Sequence, residues 1–174
     1  MPIYKRDGGL NSPYAASDFK TPNPNYGKIS DLKNFVSVAH KLNMQVWLDW
    51  VPNHTANNHP WLKEHPEYYA NDLHSFYNDV SQLNYENIGL CNTMTNILKF
   101  WIDEVDIDGY RCDFISSPYI PNKYWLSTIP ELKNYKSYLL NRNSTTSPSC
   151  ISYSLPSGRR APAARAPATP LFFT

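Results

Sequence analysis

The chain has 174 residues, with Lys+Arg 16 against Asp+Glu 15 and a formal net charge of +1. That balance excludes the basic field that draws nucleic acid or an anionic membrane surface, so neither is expected as a partner. The length suits one domain and falls short of the ~250 residues typical of an eight-stranded α/β barrel.

Aromatic residues make up 14%, with 13 Tyr and 5 Trp, and rings with a flat apolar face and a polar edge suit sugar stacking as well as ordinary cores. Cys91, Cys112 and Cys150 are an odd number with no C-x-x-C pair, which indicates neither a disulfide framework nor a zinc site. No apolar run is long enough to span a bilayer. Residues 1–7 lack the apolar region of a secretory signal, so the chain as written is expected to be soluble and unexported, with its location unknown.

In chain order, residues 1–30 read as loop, punctuated by Gly8, Gly9, Pro13, Pro22, Pro24 and Gly27, with a hint of local order at Ser12 to Lys20. A helix then starts at Ser30 as N-cap, places Leu32, Phe35, Val36, Ala39 and Leu42 on one face, and stops at Asn43 in a left-handed conformation. Met44 to Val51 is short, apolar and aromatic with little polar alternation, the pattern of a parallel strand buried on both faces. Helix then strand predicts an α/β repeat. Pro52 opens a long irregular segment to about Glu86, and loops of that length inside a compact domain are usually functional. A second helix is predicted from about Asn87 to Val105, with Cys91, Met94, Leu98, Trp101 and Val105 at helical spacing. A third follows Pro121 and carries Tyr124, Trp125, Leu132 and Leu139.

Between the last two helices lies Asp106-Ile107-Asp108-Gly109-Tyr110-Arg111-Cys112-Asp113-Phe114. On a strand, period two puts Arg111 and Asp113 on one face. Opposite charges at the end of an apolar segment are costly to bury unless they have work or partners, and a guanidinium beside a carboxylate favours its ionised form. An ionised, oriented carboxylate is what a nucleophile requires. A structural ion pair closing a strand is the plainer alternative.

From Arg142 the text changes. Ser, Thr, Pro and Ala dominate, no lysine follows Lys136, no acid follows Glu131, and Arg142, Arg159, Arg160 and Arg165 are four of the six arginines. Such a segment buries too little apolar surface to offset ordering, so residues 142–174 are expected to be a disordered tail unrelated to the domain of 1–141. A shift of reading frame between about Asn134 and Ser144 would produce this change; resequencing the gene and translating all frames tests it.

Three stretches carry a resemblance. Asp49-Trp50-Val51-Pro52-Asn53-His54 resembles the first conserved region of the α-amylase family, glycoside hydrolase family thirteen, and Gly109-Tyr110-Arg111-Cys112-Asp113 resembles its second. Ser12 to Asp18, followed by Asn25-Tyr26-Gly27 and a helix, is similar to the family's segment after the second barrel strand. The resemblance covers roughly Ile3 to Leu132. It implies a fragment of a (β/α)₈ TIM barrel, from about the end of strand two to the helix after strand four, with catalytic groups at the C-terminal strand ends. It implies retaining cleavage of α-glucosidic bonds in starch or maltooligosaccharides, with transglycosylase or isomerase chemistry and a non-catalytic sugar-binding fragment as alternatives. Asp113 would be the nucleophile, Arg111 would orient it, His54 would bond a sugar hydroxyl, Tyr14 would stack on the ring, and Asp49 would support the site.

Departures from the family pattern bear on the metal and on activity. Ser116 and Ser117 stand where a lysine and a histidine are common, and Gln82 stands where a loop aspartate commonly binds calcium. Only Asn53 keeps its ligand type, which makes calcium doubtful, because hard cations need several oxygen ligands with carboxylate charge among them. His54, His59, His65 and His74 lack the tight helical pairing of a zinc site. The family's acid/base glutamate and third aspartate follow strands five and seven, which these residues do not include, and Glu131 is no substitute. The chain alone is therefore expected to be inactive, and its N-terminus is read as truncated.

Overall fold

Tyr4–Arg6 (β1) and Ala16–Pro22 (β2) form an antiparallel ribbon where the punctuation predicts loop. Tyr4 pairs with Pro22, Lys5 with Asp18 and Arg6 with Ala16, so the register shifts at both steps and no clean alternation is written into either strand. The computed structural model describes residues 2–6, 12–70, 78–113, 120–143 and 171–172.

A 3-10 turn at Pro24–Tyr26 leads into helix α1 (Ile29–Lys41). The helix begins one residue before the expected cap. Asp31 Oδ2 accepts the Lys28 N–H at 2.8 Å and so satisfies an orphan donor of the first turn. Asn43 ends it at φ 56°, the left-handed stop that was expected. Val36 and Ala39 are buried, whereas Phe35 and Leu42, expected on the same face, are exposed.

The apolar run becomes β3 (Val46–Trp50), parallel to β6 (Gly109–Cys112), with Asp49 opposite Arg111 and Trp50 opposite Cys112. Between them the long segment contains strands of its own. His54–Ala56 (β4) and Val80–Gln82 (β5) pair antiparallel, His54 opposite Gln82, and a one-turn helix α2 (Trp61–Glu64) and a 3-10 turn at Pro66–Tyr68 lie between them. Helix α3 (Ile88–Val105) follows, capped by Asn87, whose side chain accepts the Leu90 N–H at 3.1 Å. Helix α4 (Asn122–Asn143) completes the repeat, with Tyr124 and Leu132 buried; the side chains of Trp125 and Leu139 lie outside the described set.

Of the tail, residues 144–170, 173 and 174 lie outside the described residues, and Leu171–Phe172 (β7) pairs parallel with Val46 and Trp47 on the other side of β3. Among the described residues, no helix is long and apolar enough to cross a membrane.

One carboxylate aligns the central pair of strands. Asp108 Oδ2 accepts the Val46 N–H at 2.8 Å and sits 2.8 Å from His40 Nε2, while the Asp108 N–H donates to Val46 O at 2.9 Å. The core lies between β3, β2 and α3. Tyr4, Phe19, Trp50 and Trp101 are all buried there, with Tyr4 5.6 Å from Trp50 and 5.8 Å from Trp101, ring centre to ring centre, and Phe19 5.2 Å from Trp50.

His59 lies against this cluster, 5.6 Å from the Phe19 ring and 4.5 Å from that of Trp61, and its Nδ1 accepts the Trp61 N–H at 3.2 Å. Burial pulls its pKa down to about 4, against a smaller opposing pull from Asp18. The folded chain therefore refuses a proton that the unfolded chain takes up below about pH 6.5. Stability rises with pH between about 4 and 6.5 and is lost as pH falls through that window, by at most about 3 kcal/mol for the one proton. Replacing His59→Asn, which keeps an acceptor for the Trp61 N–H, should flatten urea-unfolding free energies across this window. An unchanged slope would assign the acid sensitivity elsewhere.

Candidate active site

The charged residues of the site stand at the C-terminal ends of β3 and β6 because the parallel register brings Asp49 and Arg111 abreast. Arg111 Nη1 lies 2.9 Å from Asp49 Oδ1 and 2.8 Å from Asp113 Oδ1, so one guanidinium serves two carboxylates. Their exposures differ: the side chain of Asp49 is 8% exposed, that of Asp113 26% and that of Arg111 44%. Asp49 is the buried anchor and Asp113 the accessible end. Asp113 stands just past β6, where its N–H donates to Trp50 O at 2.8 Å and continues the ladder by one bond. The Arg111 pKa is raised, chiefly by its hydrogen bond to Asp49, so the cation is permanent.

Tyr14 and His54 come to the same place from other parts of the chain. His54 opens β4 and is buried; it hydrogen-bonds to the backbone of Tyr14 and lies in electrostatic range of Asp79 and Asp113. Burial lowers its pKa more than those neighbours raise it, which favours the neutral imidazole. Tyr14, in the turn before β2, lies in electrostatic range of Arg111. The four residues expected from sequence therefore converge. Cys112 is adjacent, but burial above all, with Asp49 beside it, pushes its thiol up to about 12, which keeps it protonated at neutral pH.

Asp79 is a site neighbour that the sequence did not single out. Its Oδ2 accepts the Ser12 N–H at 3.2 Å and ties the Tyr14 turn to the segment entering β5. No local pattern announces a contact between loops so far apart in the chain. Glu131 behaves as expected of a residue outside the site: it pairs with Lys99 on α3 at 2.5 Å and is exposed.

The metal implied by the resemblance does not fit the donors present. Gln82 Nε2 lies 2.7 Å from Asn53 O, 3.0 Å from Asn53 Oδ1 and 3.2 Å from Leu83 O. The oxygens that would meet a cation already receive N–H donors. Ser116 and Ser117 lie outside the described residues. Among the described residues, no group of three or more His, Cys, Asp or Glu side chains is arranged to hold a metal ion.

Residues 1–72 and 64–147 match the family model for the α-amylase catalytic domain. The chain belongs to that family. A cyclomaltodextrin glucanotransferase from Bacillus sp. (strain 17-1) is 29% identical over 157 residues, covering 71% of this chain and 21% of that protein. An α-glucosidase from Apis mellifera is 30% identical over 148 residues, covering 62% and 26%. The crystal structure of a maltogenic α-amylase from Thermotoga neapolitana superposes with a TM-score of 0.71 at 35% identity, covering 77% of this chain and 34% of that one. This α-amylase-family chain is thus a fragment of a (β/α)₈ barrel, as expected, and spans between a fifth and about a third of the length of these relatives.

Proposed function

We propose that this chain carries the nucleophile side of a retaining site for α-linked glucans, such as starch or maltooligosaccharides. The observation that carries the reading is the guanidinium of Arg111 held between the buried Asp49 and the more exposed Asp113, with His54 and Tyr14 alongside. Asp113 attacks the anomeric carbon, Arg111 holds its carboxylate in position, and His54 and Tyr14 line the sugar pocket. On this reading residues 1–141 form the catalytic segment.

Retaining cleavage also needs a carboxyl ~5 to 5.5 Å from the nucleophile to protonate the leaving oxygen. Among the described residues Asp49 is tied to Arg111, Asp79 to Ser12 and Glu131 to Lys99. The 174-residue chain alone is therefore expected to release no reducing sugar from starch.

A substrate whose leaving group needs no proton isolates the nucleophile. With an α-glucosyl fluoride slowed by a second ring fluorine, an Asp113 oxygen bonds to the anomeric carbon and fluoride departs with the electron pair. The expected result is a glycosyl ester mapped to Asp113 by peptide mass spectrometry and absent from Asp113→Asn. Label on another residue, or none, would overturn the assignment. The glucanotransferase among the relatives favours one second reading, transfer rather than hydrolysis, and adding maltose to the labelled chain distinguishes a lengthened fluorinated sugar from free fluoroglucose.

A further inference from the structure

We infer that Gln82 is a built-in substitute for a divalent cation: its amide draws together the oxygens of Asn53 and Leu83 and, through Asn53, fixes the proton of His54. The inference goes beyond the glucan reading and holds whatever the substrate.

The contacts leave no acceptor direction for a metal at the backbone oxygen of Asn53. Asn53 O receives both the Leu83 N–H at 3.1 Å and Gln82 Nε2 at 2.7 Å, which uses its two lone pairs. Gln82 Nε2 also reaches Asn53 Oδ1 and Leu83 O, and Asn53 Nδ2 returns a bond to Gln82 Oε1 at 3.0 Å. Both side chains are buried, so each polar atom needs a partner, and the reciprocal amide pair supplies it.

The two backbone carbonyls also decide which way the amides point. Turning Gln82 over would aim Oε1 at Asn53 O and Leu83 O, oxygen against oxygen, so its NH₂ group must face them. Gln82 Oε1 then faces Asn53 Nδ2 and makes that nitrogen a donor. Asn53 Nδ2 lies 3.2 Å from His54 Nδ1, so Nδ1 accepts and the ring proton resides on Nε2. A glutamine on β5 thereby sets the tautomer of a histidine on β4. Gln82 is a positioning residue, acting through Asn53.

Replacing Gln82→Glu changes one NH₂ group to oxygen at nearly constant shape and turns the donor focus into a cluster of oxygens with negative charge, which is what calcium takes. The full chain and the variant would be dialysed against Ca²⁺ at about 10 mM, above the 10⁻⁴ to 10⁻³ M range of weak protein sites. They would then be assayed for bound calcium and thermal midpoint, with and without EDTA. The unaltered chain is expected to retain no stoichiometric calcium and to melt at one temperature in both buffers. Gln82→Glu should melt lower in EDTA and recover with calcium. ¹⁵N NMR of His54 should show an unprotonated Nδ1 in the unaltered chain, and a Gln82→Leu variant, which lacks Oε1, should lose that signature. One calcium per unaltered chain, a calcium-raised midpoint for it, or a proton on His54 Nδ1 would overturn the inference. So would a folded Gln82→Glu chain indifferent to calcium. If the variant fails to fold in either buffer, the calcium content and His54 tautomer of the unaltered chain decide alone.

Discussion

Arg111→Ala is expected to slow ester formation at Asp113 by roughly 10²-fold, the scale of a misplaced reacting group, and to cost about 2 kcal/mol of stability. Both effects follow from one cation bound to two carboxylates of unequal burial. On the Asp113 side, removal leaves the proposed nucleophile without its contact at 2.8 Å. On the Asp49 side, a carboxylate only 8% exposed loses its counter-charge. A fully buried broken pair costs 3–5 kcal/mol, and the smaller figure allows for water reaching a guanidinium that is 44% exposed. Adding Asp49→Asn to Arg111→Ala separates the two roles. The double variant should regain most of the stability, because the orphan charge is gone, and none of the labelling rate. Equal recovery of both would place Arg111 in the scaffold only.

Trp101→Ala is expected to lower the unfolding free energy by 3–5 kcal/mol, roughly the whole reserve of a marginal domain. Trp101 is fully buried on α3, packs near Tyr4 at 5.8 Å and Phe100 at 5.3 Å, and donates its indole N–H to Phe19 O at 2.8 Å. Alanine leaves a cavity between helix and ribbon and an unsatisfied carbonyl on β2, two separate costs. Trp101→Phe keeps most of the volume and should cost clearly less. Guanidinium unfolding followed by circular dichroism measures both, and a Trp101→Ala chain within about 1 kcal/mol of the unaltered one would mean that the cluster is not the core.

The elements legible in the sequence are those whose pattern is local. β3 reads as a continuous apolar run because both its faces are covered, and α3 reads as a helix because Cys91, Met94, Leu98, Trp101 and Val105 recur at its period, the last four buried and Cys91 half-buried. The β1–β2 ribbon was not legible, since its register shifts between residues and prolines and glycines surround it. The β4–β5 pair hid for another reason: its strands have three residues each, and the buried His54, Thr55, Ser81 and Gln82 look polar to any periodicity. The candidate site was drawn from resemblance, as a set of residue types at strand ends. What it could not convey was sharing. That one Arg111 nitrogen serves both Asp49 and Asp113, and that the Gln82 amide turns its NH₂ group onto the oxygens of Asn53 and Leu83, are facts of distance.

Asp108 gives the far end of the strands a part in the geometry of the near end. By bonding to Val46 in both directions it pins the zero of a ruler, from which Asp49 and Arg111 each stand three residues along, about 10 Å at the rise of a strand. A strand has no graduation finer than one residue, and a slip of one would carry Arg111 to the opposite face from Asp49. The chemistry at the rim is thus gauged by a carboxylate that never touches it.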